Sequence, residues 1–176
     1  VLFRSKHPHE NMEIISIPLS GALHHQDSTG RDKIIQTGDV QIMSAGAGIY
    51  HSEVNASQQE PVTFLQLWIF PKVDNIEPRY DQKLFNVTER QNKIQVVVSP
   101  TQENESLFIN QDAWLSLLEL EEGKEISYQL HQDGNGVYCF LIDGEMEIAE
   151  EQLSKRDAIG IWDCKRSEEH TSELQS

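Results

Sequence analysis

The chain has 176 residues and a formal net charge of −15, with 29 acidic residues against 14 lysines and arginines. That balance disfavours nucleic acid and anionic membrane as partners, because binding to phosphate needs clustered cations and no run of five basic residues occurs. The longest apolar stretches are under about ten residues, too short to cross a bilayer as a helix, and the length suits one medium domain or two small ones.

The ends stand apart from the rest. Residues 166–176 are polar, show no strand or helix period, and read as the in-frame translation of a sequencing-library adapter; residues 1–5 read as the opposite adapter. Segments of that kind are set aside in fold reasoning. The natural insert is therefore expected to be residues 6–165, with a net charge of −14 once two arginines and three glutamates at the ends are removed, and with both natural termini missing. No signal peptide is visible. Cys139 and Cys164 are the two cysteines, and they read as reduced core thiols, which favours a cytoplasmic origin.

In chain order, Met12–Leu19 reads as a buried strand with Pro18 at an edge or strand end, since proline cannot donate to a ladder. Ala22–Asp27 is a second strand, closed by the turn Ser28-Thr29-Gly30-Arg31. Lys33–Gln36 and Val40–Met43 follow, then a small-residue loop over residues 44–48 that delivers the chain to Ile49-Tyr50-His51. Thr63–Phe70 is the strongest strand signal, β-branched and aromatic between Pro61 and Pro71. Residues 71–93 are polar and irregular and read as a connector. Strands resume at Ile94–Val98, Trp114–Leu120, Ile126–Leu130, Val137–Ile142, Glu145–Ile148 and Arg156–Ile161. No amphipathic helix longer than about two turns is expected. Short strands separated by glycine turns predict an all-β barrel or sandwich, and an internal echo predicts two in tandem, residues 6–93 and 94–165.

The chemistry concentrates near the start. His7 and His9 stand at i, i+2, as do His51 and Glu53. Strand side chains alternate in direction, so each pair shares a face, and two such strands can converge four donors. Three imidazoles and a carboxylate suit iron, nickel, copper, manganese or zinc. Glu13 has the strand parity of His7 and His9 and is a rival carboxylate or a hydrogen-bond acceptor behind the ligands. Asn55, Gln66 and Trp68 are candidates to line the site, whereas Met43 and Phe64 read as core. His24 and His25 point opposite ways and read as a surface and a core strand residue. When Gly21 is aligned on Gly144, Leu130, Gln132 and Gly136 take the places of His7, His9 and Glu13, so metal chemistry is confined to the first unit, and His131 is alone and off register.

These residues resemble the cupin superfamily, whose first motif is matched by His7, His9, Glu13 and Gly21 and its second, more loosely, by Gly38, Gly48, His51 and Asn55. Within it the chain is similar to the pirin family. The carriers are His7-Pro8-His9 with Met12-Glu13-Ile14, Gly38-Asp39-Val40-Gln41, Met43-Ser44-Ala45-Gly46, His51-Ser52-Glu53, Gln66-Leu67-Trp68 and Pro78-Arg79-Tyr80. The resemblance covers residues 6–165. It implies a jelly-roll bicupin (two double-stranded β-helix barrels) lacking its first and last strands, with one divalent metal, iron(II) foremost, in the N-terminal cupin. The ligands carried over are His7, His9, His51 and Glu53, with Glu53 preferred to Glu13.

The family implies a quercetin 2,3-dioxygenase that opens the ring of a flavonol with O2; on the residues themselves, Glu53 is a candidate general base once its bond to the metal loosens, and Glu13, Asn55 and Gln66 are candidates to stand behind the ligands. The alternative is a non-enzymatic iron-binding regulator acting through a protein partner; fold alone does not choose between them. Missing strands expose sheet edges and shrink the core. The 176-residue chain is accordingly expected to fold poorly or bind metal weakly, and a cooperative thermal transition with one metal per chain would contradict that.

Overall fold

The alternation of apolar and polar residues from residue 12 to residue 70 builds strands throughout. The computed structural model describes residues 4–162 and 172–175, with backbone alone described for Arg4 and for 172–175. One compact unit runs to Val87 and takes in Val96–Ser116; the other consists of Thr88–Gln95 and the chain from Leu117 onward. The division differs from a cut between residues 93 and 94, because residues 96–116 pack with the first unit.

The first unit contains β1 (Arg4–His9), β2 (Glu13–Ser20), β3 (Ala22–Asp27), β4 (Asp32–Gln36), β5 (Asp39–Ser44), β6 (Ile49–Asn55), β7 (Thr63–Ile69) and β8 (Arg79–Leu84). They form two antiparallel four-stranded sheets in the orders β1-β6-β3-β4 and β7-β2-β5-β8. Side chains interleave between the sheets, with Ile14, Met43, Ala45 and Ile49 as a buried cluster flanked by Met12 and Tyr80.

Six consecutive residues of β2 are buried, Glu13 to Pro18. One face of the strand looks into the barrel. The other is covered by the segment around β9 (Gln95–Ser99) and β10 (Leu107–Phe108), which pair in parallel. That segment is tied to the sheet by the Asn110 amide on Glu13 (3.3 Å), Lys72 on Asp112 (2.7 Å) and Arg79 on the Phe108 carbonyl (3.4 Å). Burial on both faces is why β2 reads as a continuous apolar run rather than an alternating one.

Pro18 is opposite Phe64 of β7, beyond the last β2–β5 pair at Ser16–Gln41, with a register irregularity just after it. Its missing N–H therefore faces a side where no ladder bond is needed.

Three expectations are corrected. The connector over residues 71–93 contains β8, whose polar residues pair along the whole of β5. The edge position explains its composition, since polar side chains suit a strand with one free rim. The N-terminal residues set aside from the fold enter it at Arg4 and Ser5, which extend β1 along β6 across an irregularity between Arg4 and His7. The tail reads as shapeless, yet residues 172–175 form a strand that pairs with residues 125–128 on one side and 147–148 on the other; ladder hydrogen bonds are made by the backbone, whatever the side chains.

The second unit holds β12 (Glu125–Tyr128), β13 (Val137–Phe140), β14 (Glu145–Ile148), β15 (Glu151–Ser154), β16 (Ala158–Ile161) and β17 (Ser172–Gln175), while β11 (Leu115–Leu117), next to β9 in its sheet, runs across the division between the units. The strand expected over residues 114–120 is thus shorter than the apolar run. β12, β17, β14 and β15 make one sheet, and β13 pairs with β16. Its core is Ile148 and Leu153 with Leu118, Leu120, Ile126, Cys139, Leu141, Met146, Ile159 and Ile161 around them. Cys139 is a free, half-buried thiol whose burial raises its pKa. Cys164 lies outside the described residues. Among the described residues no helix is long and apolar enough to cross a membrane.

Candidate metal centre

β6 is the middle of three strands that carry the donors. Its antiparallel partners set the register: His7 of β1 is opposite His51, and on the other side His25 and Asp27 of β3 are opposite Glu53 and His51. Directly opposed residues in an antiparallel pair share a face. His7, His9, His51, Glu53, His25 and Asp27 therefore all point to the barrel interior, while His24 turns away to bond Asp32 at 2.6 Å.

The turn into β6 depends on Gly46. Its φ is +51°, a left-handed value that suits glycine, and a Cβ there would lie 2.1 Å from the Ile76 carbonyl oxygen. The Ala47 amide donates to that same carbonyl (2.9 Å), so the chain must pass this close to start β6 where it does.

Among the described residues, two groups of donors lie within 4.8 Å of one another: His7 with His9 and His51, and His25 with His51 and Glu53. His7 and His9 are partly exposed, whereas His51, Glu53 and His25 are 2%, 1% and 0% exposed. The His7 Nδ1–H donates to the Ser5 carbonyl (2.7 Å), which leaves the lone pair on Nε2. That Nε2 is 3.1 Å from Nε2 of His51. Two nitrogens bound to one ion at about 2.1 Å stand roughly 3.0–3.4 Å apart for right-angle or tetrahedral geometry. The spacing and the neutral imidazole and carboxylate donors fit a divalent first-row ion.

Glu53 is held from behind. Ser16 Oγ donates to Oε1 (3.1 Å) and Gln66 Nε2 to Oε2 (2.6 Å). Gln66 Oε1 in turn accepts from the indole of Trp68 (3.2 Å), whose ring meets His9 edge-on at 5.1 Å. Donor pairs of this kind orient a metal-binding carboxylate.

Glu13 does not join the cluster. Asn11, with φ +46°, breaks the strand between His9 and Glu13, so the shared parity is lost across the turn. The Glu13 carboxylate faces the other side of β2, where Ser44 Oγ donates to it at 2.8 Å. Burial pushes its pKa up, against lowering by Ser44, the Asn110 amide and Arg79. Asn55 serves its own turn, donating to the Glu60 carbonyl (2.7 Å) and accepting from the Ser57 amide (3.0 Å).

Sequence reasoning missed His25, Asp27, Ser16 and Tyr80. The usable signal was His25-x-Asp27, which repeats the His51-x-Glu53 spacing on the neighbouring strand. Tyr80 stacks at 5.0 Å from His25. Burial, then Asp27, Asp39 and Glu53, push its phenol far up, so it stays protonated and donates to Gln82 Oε1 (2.8 Å). In the second unit the described residues hold no comparable group; the His131 ring lies 6.1 Å from that of Tyr128.

A jelly roll with histidines and a carboxylate gathered between its sheets defines the metal-binding cupin class. Residues 3–69 match the family model described as Pirin, and residues 96–174 the Quercetinase C-terminal cupin domain. The chain is 36% identical over 157 residues to the quercetin 2,3-dioxygenase of Escherichia coli, a match covering 89% of this chain and 66% of that protein. It is also 36% identical to a putative quercetin 2,3-dioxygenase of Pseudomonas aeruginosa, covering 89% and 67%. Among solved structures, YhhW of Escherichia coli superposes with a TM-score of 0.87 at 34% identity, covering 97% of this chain and 72% of that one. YhhW in complex with nickel(II) gives 0.85 at 34%, covering 97% and 73%. The chain belongs to the pirin family. It spans 66% of the length of the first curated relatives it matches.

Proposed function

We propose that the protein is a pirin-type metal-dependent dioxygenase that cleaves a flavonol such as quercetin with O2, through one iron(II) held by His7, His9, His51 and Glu53. The observation that carries this reading is the buried Glu53 carboxylate, fixed by Ser16 and Gln66 beside His51 while His7 and His9 remain partly open to solvent. The names borne by the relatives and the nickel(II) of YhhW support a divalent ion and a flavonol. The thiolate-free nitrogen and oxygen donors suit iron.

When bound, such an ion supplies Lewis acidity that makes a flavonol 3-hydroxyl easier to ionise. The chain's own residues do the rest. Glu53, an acceptor held in place by two donors, takes the hydroxyl proton. Trp68, 49% exposed and packed on His9, offers an aromatic wall for a flat substrate. Both oxygen atoms of O2 enter the products and one ring carbon leaves as carbon monoxide.

Oxygen uptake with quercetin, measured on protein loaded with iron(II), nickel(II), copper(II) or manganese(II), tests the reading. Glu53→Gln should retain most of the metal and lose turnover; unchanged turnover would remove Glu53 as the base. Metal binding without uptake for any of the four ions would instead assign a regulator that works through a protein partner.

A further inference from the structure

The expected ligand set is a single group of four, yet the donors fall into two groups of three that meet at His51. The second group contains His25, which the family resemblance does not supply as a ligand. His25 is fully buried, and its Nε2 lies 3.3 Å from Asp27 Oδ2, with both side chains sealed from solvent.

The state of that pair follows from the surroundings of Asp27. Its Oδ1 accepts hydrogen bonds from the Thr29 hydroxyl (2.6 Å), the Thr29 amide (2.8 Å) and the Arg31 amide (3.3 Å), which leaves Oδ2 facing His25 Nε2. With Oδ2 as the acceptor, His25 Nε2 carries the hydrogen and Nδ1 carries the lone pair. Nδ1 is buried and has no hydrogen-bond partner. A buried acceptor left unbonded is costly, and a histidine that donates one ring N–H to a carboxylate while presenting the other nitrogen is the usual arrangement of a metal ligand.

We propose that the centre has a second, inner metal position made by His25, His51 and Glu53, with Asp27 orienting His25, which takes a divalent first-row ion in place of the outer position. Because His51 belongs to both groups, one ion occupies one position at a time. The inner position is wholly buried, whereas His7 and His9 of the outer group are partly exposed. An ion at the inner position therefore exchanges slowly with solvent chelators. The inference rests on the proposal that this cluster binds metal at all.

The test uses nickel(II) and cobalt(II) on the purified chain, with stoichiometry by elemental analysis, affinity by chelator competition, and the visible spectrum of cobalt(II). The parent should bind one ion, a result that would also overturn the expectation of poor folding or weak binding drawn from the missing strands. His7→Ala/His9→Ala should still bind one ion, about 10–100-fold more weakly, with an altered cobalt spectrum. Adding His25→Phe, which keeps a ring in the buried space, should abolish that residual binding. Adding Asp27→Asn instead should weaken it by about tenfold or more. Circular dichroism checks that each variant folds. If the His25→Phe triple variant does not fold, the chelator off-rate of His7→Ala/His9→Ala decides: slow release supports a buried ion, and loss of all binding in that double variant overturns the inner position. A parent that binds neither metal overturns the metal centre itself, a distinct result. Residual binding unchanged by His25→Phe in a folded triple variant also overturns the proposal.

Discussion

Gln66→Met removes the shorter of the two hydrogen bonds to Glu53 while keeping side-chain length. Glu53 is 1% exposed, so water has no route to replace the lost 2.6 Å donor, and the longer bond from Ser16 at 3.1 Å remains. A hydrogen bond to a charged group contributes about 1.5–3 kcal/mol, and here nearly the whole of that should be lost. The Trp68 indole also loses its acceptor, but Trp68 is half exposed and water can take its place. For a chain of this size 1 kcal/mol corresponds to roughly 2–4 °C, so the melting temperature should fall by about 3–12 °C. Metal affinity should fall by about 10–100-fold, the usual consequence of removing a partner that orients a ligand. Scanning calorimetry and chelator competition measure the two effects, and Ser16→Ala in the same background should be non-additive because both donors serve one carboxylate. A variant within about 0.5 kcal/mol of the parent and with unchanged affinity would refute the claim that Gln66 holds Glu53 in place.

Two further outcomes are expected. Gly46→Ala forces a Cβ to within 2.1 Å of the Ile76 carbonyl at a φ of +51°, so it should cost more than about 1–2 kcal/mol and weaken metal binding by displacing the start of β6; a melting temperature equal to the parent's would contradict this. Glu13→Gln tests the buried carboxyl whose pKa is raised above its ordinary 4.5 by burial. Between the ordinary and raised values the folded state binds more protons than the unfolded state, so the parent loses stability as pH rises through that window. The melting temperature of the variant relative to the parent should therefore be lowest near pH 4 and climb towards neutrality, and a difference that stays flat with pH would exclude the desolvation.

The strands from Glu13 to Ile69 were legible because each carries its own period or apolar run between turn residues. The His7-x-His9 and His51-x-Glu53 pairs were legible because alternation along a strand is a purely local rule. The same rule failed for Glu13, where a left-handed Asn11 resets the parity across three residues. It also underrated His25, whose neighbour His24 obscured the His-x-Asp spacing. β8 was hidden because an edge strand needs no apolar face, and its pairing with β5 is a long-range choice.

The sequence by itself determined an all-β chain of the pirin family with histidine and carboxylate donors spaced for one strand face. What only the tertiary structure decided was the company those donors keep. Register across β1, β6 and β3 places His25 opposite Glu53, and the second sheet brings Ser16 and Gln66 onto the carboxylate. Both depend on which strands lie side by side, and that is settled by packing between residues far apart in the chain rather than by any local pattern.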